Sequence, residues 1–522
     1  MPSRLVEITS TKEDDQTSLA VRLIDAEAEQ PYKYIALSHV WASSEPLNTT
    51  KSNYTEHRRR IAWESLSEVY QDTFVLAAAL GISYVWIDSL CIIQQDPDDW
   101  EKEAPRMGLV YGNAYLVFVA LGHGLALKKD PVEKLVMPYF IIPSSSEQRI
   151  IEGQVADYSV LVRRTCEHEN FINPADNNAG RWFTRAWCFQ ERLFASRLLH
   201  FGGSLEDITF ECNVHLKCEC GGVDLLSHND RHKDNDVAVS SGWRHLKAHY
   251  AQQLREITIT NPDLDHLSPG ALNQFRDKIL ETYIALCEDF SAKELSFPDD
   301  ALPAMGSLAS KLGPYMGEYH AGLWEHRILI TLQWESFNGS RSRRYGPPCC
   351  APTFSWASRT GGAVWYFSSL SESIKDMEQC ELAKVLEVRT ESANNAIPYG
   401  KVLTSAVHLY GRTAVWHIAE QRPDKVGRLE FADTPDETYV QMDTQDDIDE
   451  LLTESRGPGG LAEVVCFELM RNSGADEGKC FVSALVLRPV QDQPGSFRRV
   501  GFSIMEPSAF SERAVFKTVV VV

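Results

Sequence analysis

The chain has little of what marks a secreted, membrane-spanning or nucleic-acid-binding protein. Twelve cysteines in 522 residues fall well below the density of a disulfide scaffold, which predicts reduced thiols and a cytoplasmic setting. The longest apolar runs, such as Tyr115–Leu121 and Val519–Val522, are far shorter than the about 20 residues a membrane helix needs. The opening segment, Met1 to Asp15, lacks the apolar core of a secretory signal. Basic residues are in deficit, 51 Lys and Arg against 73 Asp and Glu, for a formal charge of −22. A field of that sign repels phosphate backbones and lipid headgroups, so neither nucleic-acid binding nor membrane insertion is expected. GxGxxG, P-loop and HExxH patterns are absent, as are internal repeats and low-complexity tracts.

What is present reads as globular. Hydrophobic residues make up 43% and charged residues 24%, and a chain this long exceeds one core. Tyr34–Ser38, Ile82–Ile87 and Tyr115–Leu121 are short apolar runs of the kind buried in parallel sheets. Between them, Leu66, Val69, Thr73, Leu76 and Leu80 recur at helical spacing, with Gly81 as the stop. Pro97, Asp98 and Asp99 start a second helix, which Glu103, Met107 and Tyr111 continue. Residues 125–180 read as an irregular insertion. Thr184 caps a helix carrying Trp187, Gln190, Glu191 and Phe194, and the strand Arg197–Phe201 follows.

This alternation predicts an α/β domain with a mostly parallel sheet over residues 1–230. Residues 231–522 are expected to form a mixed α+β region of one or two subdomains. That region is helix-rich over about 242–292 and β-rich at Ile328–Trp334, Val402–Leu409, Phe481–Leu487 and Val515–Val522. The acidic run Gln441–Glu454 reads as a solvated face or loop.

Four segments in order carry a resemblance. They are Tyr34-Ile-Ala-Leu-Ser-His-Val-Trp41, Tyr84-Val-Trp-Ile-Asp-Ser-Leu-Cys-Ile-Ile-Gln94, a helix with Trp100, Glu103, Met107, Tyr111 and Ala114, and Arg185-Ala-Trp-Cys-Phe-Gln-Glu191. Together they resemble the HET (heterokaryon incompatibility) family of filamentous fungi. Phe297–Ala304, Gly322-Leu-Trp324 and Pro352–Ser358 are similar to segments that follow HET domains. Ala42 stands where the family usually has Gly, and Ile93 where it often has Asn. The resemblance implies nonself recognition and programmed cell death, with self-association or a protein trigger as partner. It also implies a TIR-like, flavodoxin-like fold, because Trp187-Cys188 followed by Glu191 is similar to a TIR pattern. Several TIR proteins hydrolyse NAD with that Glu, which makes NAD a candidate substrate.

Three chemistries compete for these residues. In the first, Glu191 stabilises or attacks the ribosyl cation formed as an N-glycosidic bond breaks. Ser38, Trp41, Gln94, Arg185 and Trp187 then bind the substrate, and Asp88 lies on the same sheet edge. Against this, Glu191 pairs with Arg185 or Arg192 and the tryptophans are core. In the second, Cys91 is a nucleophile with His39 as base and Asp88 or Glu191 as orienter, in an acyl-transfer, hydrolytic or biosynthetic step. Against this, Cys91 lies among Leu90, Ile92 and Ile93, as a buried inert thiol does. In the third, Cys212, His215, Cys218 and Cys220 hold zinc, against a cysteine-rich loop packed as core. A non-catalytic signalling module is the remaining alternative, and no cofactor is certain.

Overall fold

The computed structural model describes residues 2–13, 16–27, 30–41, 47–121, 140–142, 150–151, 154–155, 160–162, 181–202, 208–219, 223–226, 246–260, 264–336, 342–344, 351–360, 364–366, 380–394, 398–421, 427–432, 439–455, 461–473, 480–510 and 514–522. The expected domain boundary at 230/231 lies outside these residues, and so does most of the insertion at 125–180. The chain forms two compact units. Residues 1–103, 109–183 and 191–252 make the first, and residues 104–108, 184–190 and 253–522 the second.

The first unit is built on a nine-stranded sheet. Its strands are β1 (Arg4–Glu13), β2 (Gln16–Asp25), β3 (Tyr34–His39), β4 (Tyr84–Trp86), β5 (Leu116–Ala120), β6 (Arg197–Phe201), β7 (Thr209–Cys212), β8 (His215–Cys218) and β9 (Asp224–Leu226). They lie in the order β9-β8-β7-β6-β5-β3-β4-β1-β2. Only β4, β3, β5 and β6 are parallel to one another. The flanking strands are antiparallel, which corrects the expectation of a mostly parallel sheet. The links between β1 and β2, and from β6 through β9, are too short for the helical crossover a parallel pair requires. Numbered among themselves, the parallel strands run 2-1-3-4. The winding therefore reverses between β3 and β5, where such sheets bind ligands beyond the carboxyl ends of their strands.

Every residue of β3 and of β5 is buried, as expected for strands covered on both faces. Helix α1 (Glu68–Ala79) buries Val69, Tyr70, Thr73, Phe74 and Ala77, while Leu80 is exposed. Its apolar face is thus rotated from the one expected through Leu76 and Leu80. Gly81, at φ 69°, ends it in the left-handed conformation that glycine tolerates best. The four-residue helix α2 (Asp88–Cys91) follows β4 directly. Helix α3 (Pro97–Glu103) begins as expected but does not run on to Tyr111. Residues Ala104–Arg106 tighten into a 3-10 turn before α4 (Met107–Asn113), because Pro105 lacks an N–H and crowds the preceding turn. Helices α5 (Arg181–Thr184) and α6 (Ala186–Phe194) lead into β6.

The second unit contains α8 (Pro269–Ser291), capped by the Ser268 side chain accepting from the Ala271 N–H at 3.3 Å, and α9 (Pro303–Met316). Helix α7 (Leu246–Thr260) precedes them. Ile328–Thr331, expected as strand, is a helical turn, with a strand only at Trp334–Ser336. It follows Arg327, whose φ of 58° breaks an extended path.

Beyond lies a barrel, antiparallel except for the pairing of its last two strands. Its strands are β10 (Lys384–Ser392), β11 (Val402–Gln421), β12 (Arg428–Phe431), β13 (Tyr439–Met442), β14 (Ala462–Ser473), β15 (Cys480–Pro489), β16 (Ser496–Met505) and β17 (Val515–Val521). The ring β11-β12-β13-β16-β15-β14 closes where β14 returns to β11. Trp416, Ile418, Leu429, Val440 and Val486 help fill it, and Ile448 and Leu451 of α10 (Gln445–Ser455) cover them. Closure removes the edges of these six strands, the usual liability of such sheets, and leaves β10 outside the ring.

The acidic run at 441–454 is not merely a solvated face. Asp443 is buried and accepts from Arg499 Nε at 2.9 Å, and Asp447 is buried against Arg344 and Arg498. Both Arg498 and Arg499 come from β16, which is remote in sequence.

Candidate functional site

Ser38 and His39 end β3 at the reversal point of the sheet, while Asp88, Ser89 and Cys91 follow β4. Glu191, on α6, reaches the same edge. The Ser38 hydroxyl donates to Glu191 Oε2, and Trp182 Nε1 donates to Ser38 Oγ at 2.6 Å. An indole N–H can only donate, so the serine oxygen accepts from Trp182 and its one proton goes to the carboxylate. Proton direction along this chain is therefore fixed, and Glu191 is held as an acceptor. Ser38 is 1% exposed and Glu191 6%.

A second chain runs beside it. Ser89 Oγ donates to the Leu47 carbonyl at 3.2 Å and pairs with the Tyr70 hydroxyl at 2.7 Å. The Tyr70 proton then serves Ser89, and the Tyr70 oxygen accepts from His39 Nε2 at 3.3 Å. This assigns the Nε2–H tautomer to His39. Burial pushes the Tyr70 phenol upward, so it stays protonated. The His39 and Tyr70 rings meet edge to face at 5.4 Å.

Trp41 Nε1 donates to Asp88 Oδ2 at 3.0 Å, and the Ser89 N–H donates to Oδ1 at 2.7 Å. Gln94 Nε2 donates to the carbonyls of Asp88 and Ile92. Its amide thus braces the turn after α2.

Several expectations need correction. Cys91 is 1% exposed, and burial pushes its thiol up to about 12. A nucleophilic cysteine needs the opposite shift. Arg4 Nε donates to the Cys91 carbonyl at 2.7 Å, so the arginine near this cysteine holds its backbone. Arg185 and Trp187 belong to the second unit. There the backbone at Arg185 forms an isolated β-bridge with that at Glu294, and Trp187 Nε1 donates to Asp300 Oδ2 at 2.9 Å.

The proposed zinc ligands fail on sheet geometry. The register Glu211↔Leu216 sets Cys212 opposite His215 on one face of the hairpin, while Cys218, opposite Thr209, points to the other. His215 Nε2 pairs with Asp224, and Cys220 lies outside the described residues. Among those residues no group of His, Cys, Asp and Glu has metal-site geometry.

Arg192, one of the two arginines expected beside Glu191, is engaged by Glu211. Arg192 forks onto Glu211 at 2.8–3.1 Å, and His200 Nε2 lies 3.0 Å from the same carboxylate. Lys247 Nζ donates to the carbonyls of Arg192, Leu193 and Ala195. An ammonium there caps the C-terminal end of α6 and favours its dipole. Burial nevertheless lowers its pKa to about 8.

Sequence reasoning missed Trp182, Tyr70, Ser89 and this Arg192–Glu211–His200–Lys247 cluster. Tyr70 and Ser89 carried a signal, being polar groups beside buried helix and strand positions. Glu211 and Lys247 carried none, since their partners lie 19 and 55 residues away.

Among the described residues no helix is long and apolar enough to cross a membrane. No curated protein and no solved structure matches the chain. The family model described as Heterokaryon incompatibility protein (HET) matches residues 34–191, from the first residue of β3 to the carboxylate that Ser38 holds. Residues 34–191 thus carry the HET domain of this chain.

Proposed function

We propose that the chain acts in heterokaryon incompatibility, in nonself recognition leading to programmed cell death, and that its HET unit works as a signalling module through contacts. The observation that carries this is the closed pair Ser38–Glu191. Both groups are buried and each satisfies the other, as suits a structural strut rather than a carboxylate awaiting substrate. The partner is a second copy or a protein trigger, and the β-rich second unit carries the regulation.

A second reading rests on a different observation. Glu191 is an oriented acceptor at the carboxyl edge of parallel strands, at the reversal point where such sheets take ligands. In a TIR-like, flavodoxin-like unit, that carboxylate stabilises the ribosyl cation as water replaces nicotinamide on NAD. This reading requires the Ser38–Glu191 contact to open. A Cys91 nucleophile is not proposed, because the thiol stays protonated.

One experiment separates the two. Purified full-length chain is incubated with NAD over a range of protein concentrations and nicotinamide release is followed. In parallel, wild type and Glu191→Gln are expressed in fungal cells and death is scored. Gln still accepts the Ser38 proton, so the strut survives. The module reading expects no nicotinamide release and death from both proteins. Release by wild type that Glu191→Gln abolishes, together with loss of death, overturns it in favour of N-glycosidic cleavage.

A further inference from the structure

Strand β10 is the open edge of the second unit's sheet. Among the described residues it ladders only with β11. Among the described residues no strand pairs with its other edge, and Lys384, Leu386, Glu387, Arg389 and Glu391 are exposed along the strand. Leu386 is 49% exposed. An edge of this kind is a template for another strand unless side chains forbid it.

The strand's charges specify one partner. Two copies pairing antiparallel about a two-fold axis must put residues of the same face opposite each other, so the axis passes through a residue. Val388 is the midpoint of the nine residues Lys384–Ser392. An axis there sets Glu387 opposite Arg389, twice. Val388 meets its own copy. Shifting the axis one residue sets Glu387 or Arg389 against itself, and like charges directly opposite are destabilising. In the single chain Arg389 Nε already bonds Glu387 Oε1 at 2.7 Å along the strand, so both side chains lie on one face and need only exchange partners. The ladder with β11 is regular from Glu387 to Glu391, between register shifts at Val385/Glu387 and at Glu391/Ser392. The centre of the edge is therefore straight enough to pair.

We propose that a second copy of this chain docks on β10, joining the two sheets by antiparallel pairing centred on Val388. The proposal concerns the second unit and stands whether the HET unit signals by contact or cleaves NAD.

Reciprocal charge reversal tests it. The full chain is studied by sedimentation as wild type, Glu387→Arg, Arg389→Glu and the double variant carrying both changes, with circular dichroism and thermal melting as fold controls. Both sites of change are exposed, so the fold is expected to persist. Wild type should dimerise. Each single reversal replaces two attractive pairs by two repulsive ones and should weaken dimerisation roughly tenfold. The double variant restores opposite charges across the axis and should recover it. A wild-type monomer at every concentration overturns the proposal. So does a dimer that ignores the single reversals, or a double variant as weak as the singles.

Discussion

The Ser38 hydroxyl gives its only proton to the Glu191 carboxylate, joining the end of β3 to a helix 153 residues later in the chain. Ser38→Ala removes that donor from a buried carboxylate and leaves the Trp182 N–H without its acceptor. The expected loss is about 1–3 kcal/mol of stability, read as a lower denaturant midpoint with the unfolding slope unchanged. Ser38→Thr keeps the hydroxyl, and recovery by it separates the hydrogen bond from packing.

Cys91 should be chemically silent in the native protein. Its burial and its thiol pKa of about 12 leave almost no thiolate at neutral pH. Brief alkylation followed by peptide mass spectrometry should leave Cys91 unmodified without denaturant and modified with it. Native labelling at a rate like that of a free thiol would show the site to be open.

His200 makes the first unit acid-sensitive. Burial holds its pKa below the ordinary 6.5, with the Glu211 hydrogen bond opposing the shift. Below 6.5 the unfolded chain binds a proton that the folded state refuses, so stability is lost as pH falls through that window. The urea midpoint should drop between about pH 7.5 and about pH 5.5, and His200→Asn should show a smaller drop.

Arg499 is a different kind of test. It is buried, donates to Asp443 and to the carbonyls of Leu332 and Trp334, and its guanidinium lies 3.5 Å from the centre of the Trp334 ring. Arg499→Met strands the Asp443 carboxylate and should cost about 3–5 kcal/mol. Pairing it with Asp443→Leu removes the stranded charge and should cost less than Arg499→Met alone. Thermal melts of the two variants decide the point.

Ser38, Asp88 and Glu191 were legible in the sequence because each sits at the end of an apolar run or on a helix that local pattern reveals. The bond from Trp187 to Asp300 is invisible to local pattern, because the two lie 113 residues apart. Cys218 was misread for want of register, since alternation disqualifies it only once β7 and β8 are known to pair. Asp443 and Asp447 looked solvated because their arginines come from β16, 51 to 56 residues on. The β-runs at Val402, Phe481 and Val515 were visible individually, but closure of the ring depends on pairings no local period encodes.

The twenty-residue β11 has a consequence for how the protein is made. Its middle, Val407–Thr413, meets β17, so that Thr413 bonds a residue 102 positions later. A ribosome adding about 5–20 residues per second needs about 5–20 s to cover that interval. Throughout it, the nascent β11 waits with an apolar flank unpaired. Chaperone occupancy during translation should therefore peak over this interval and fall only when Val515–Val521 emerges.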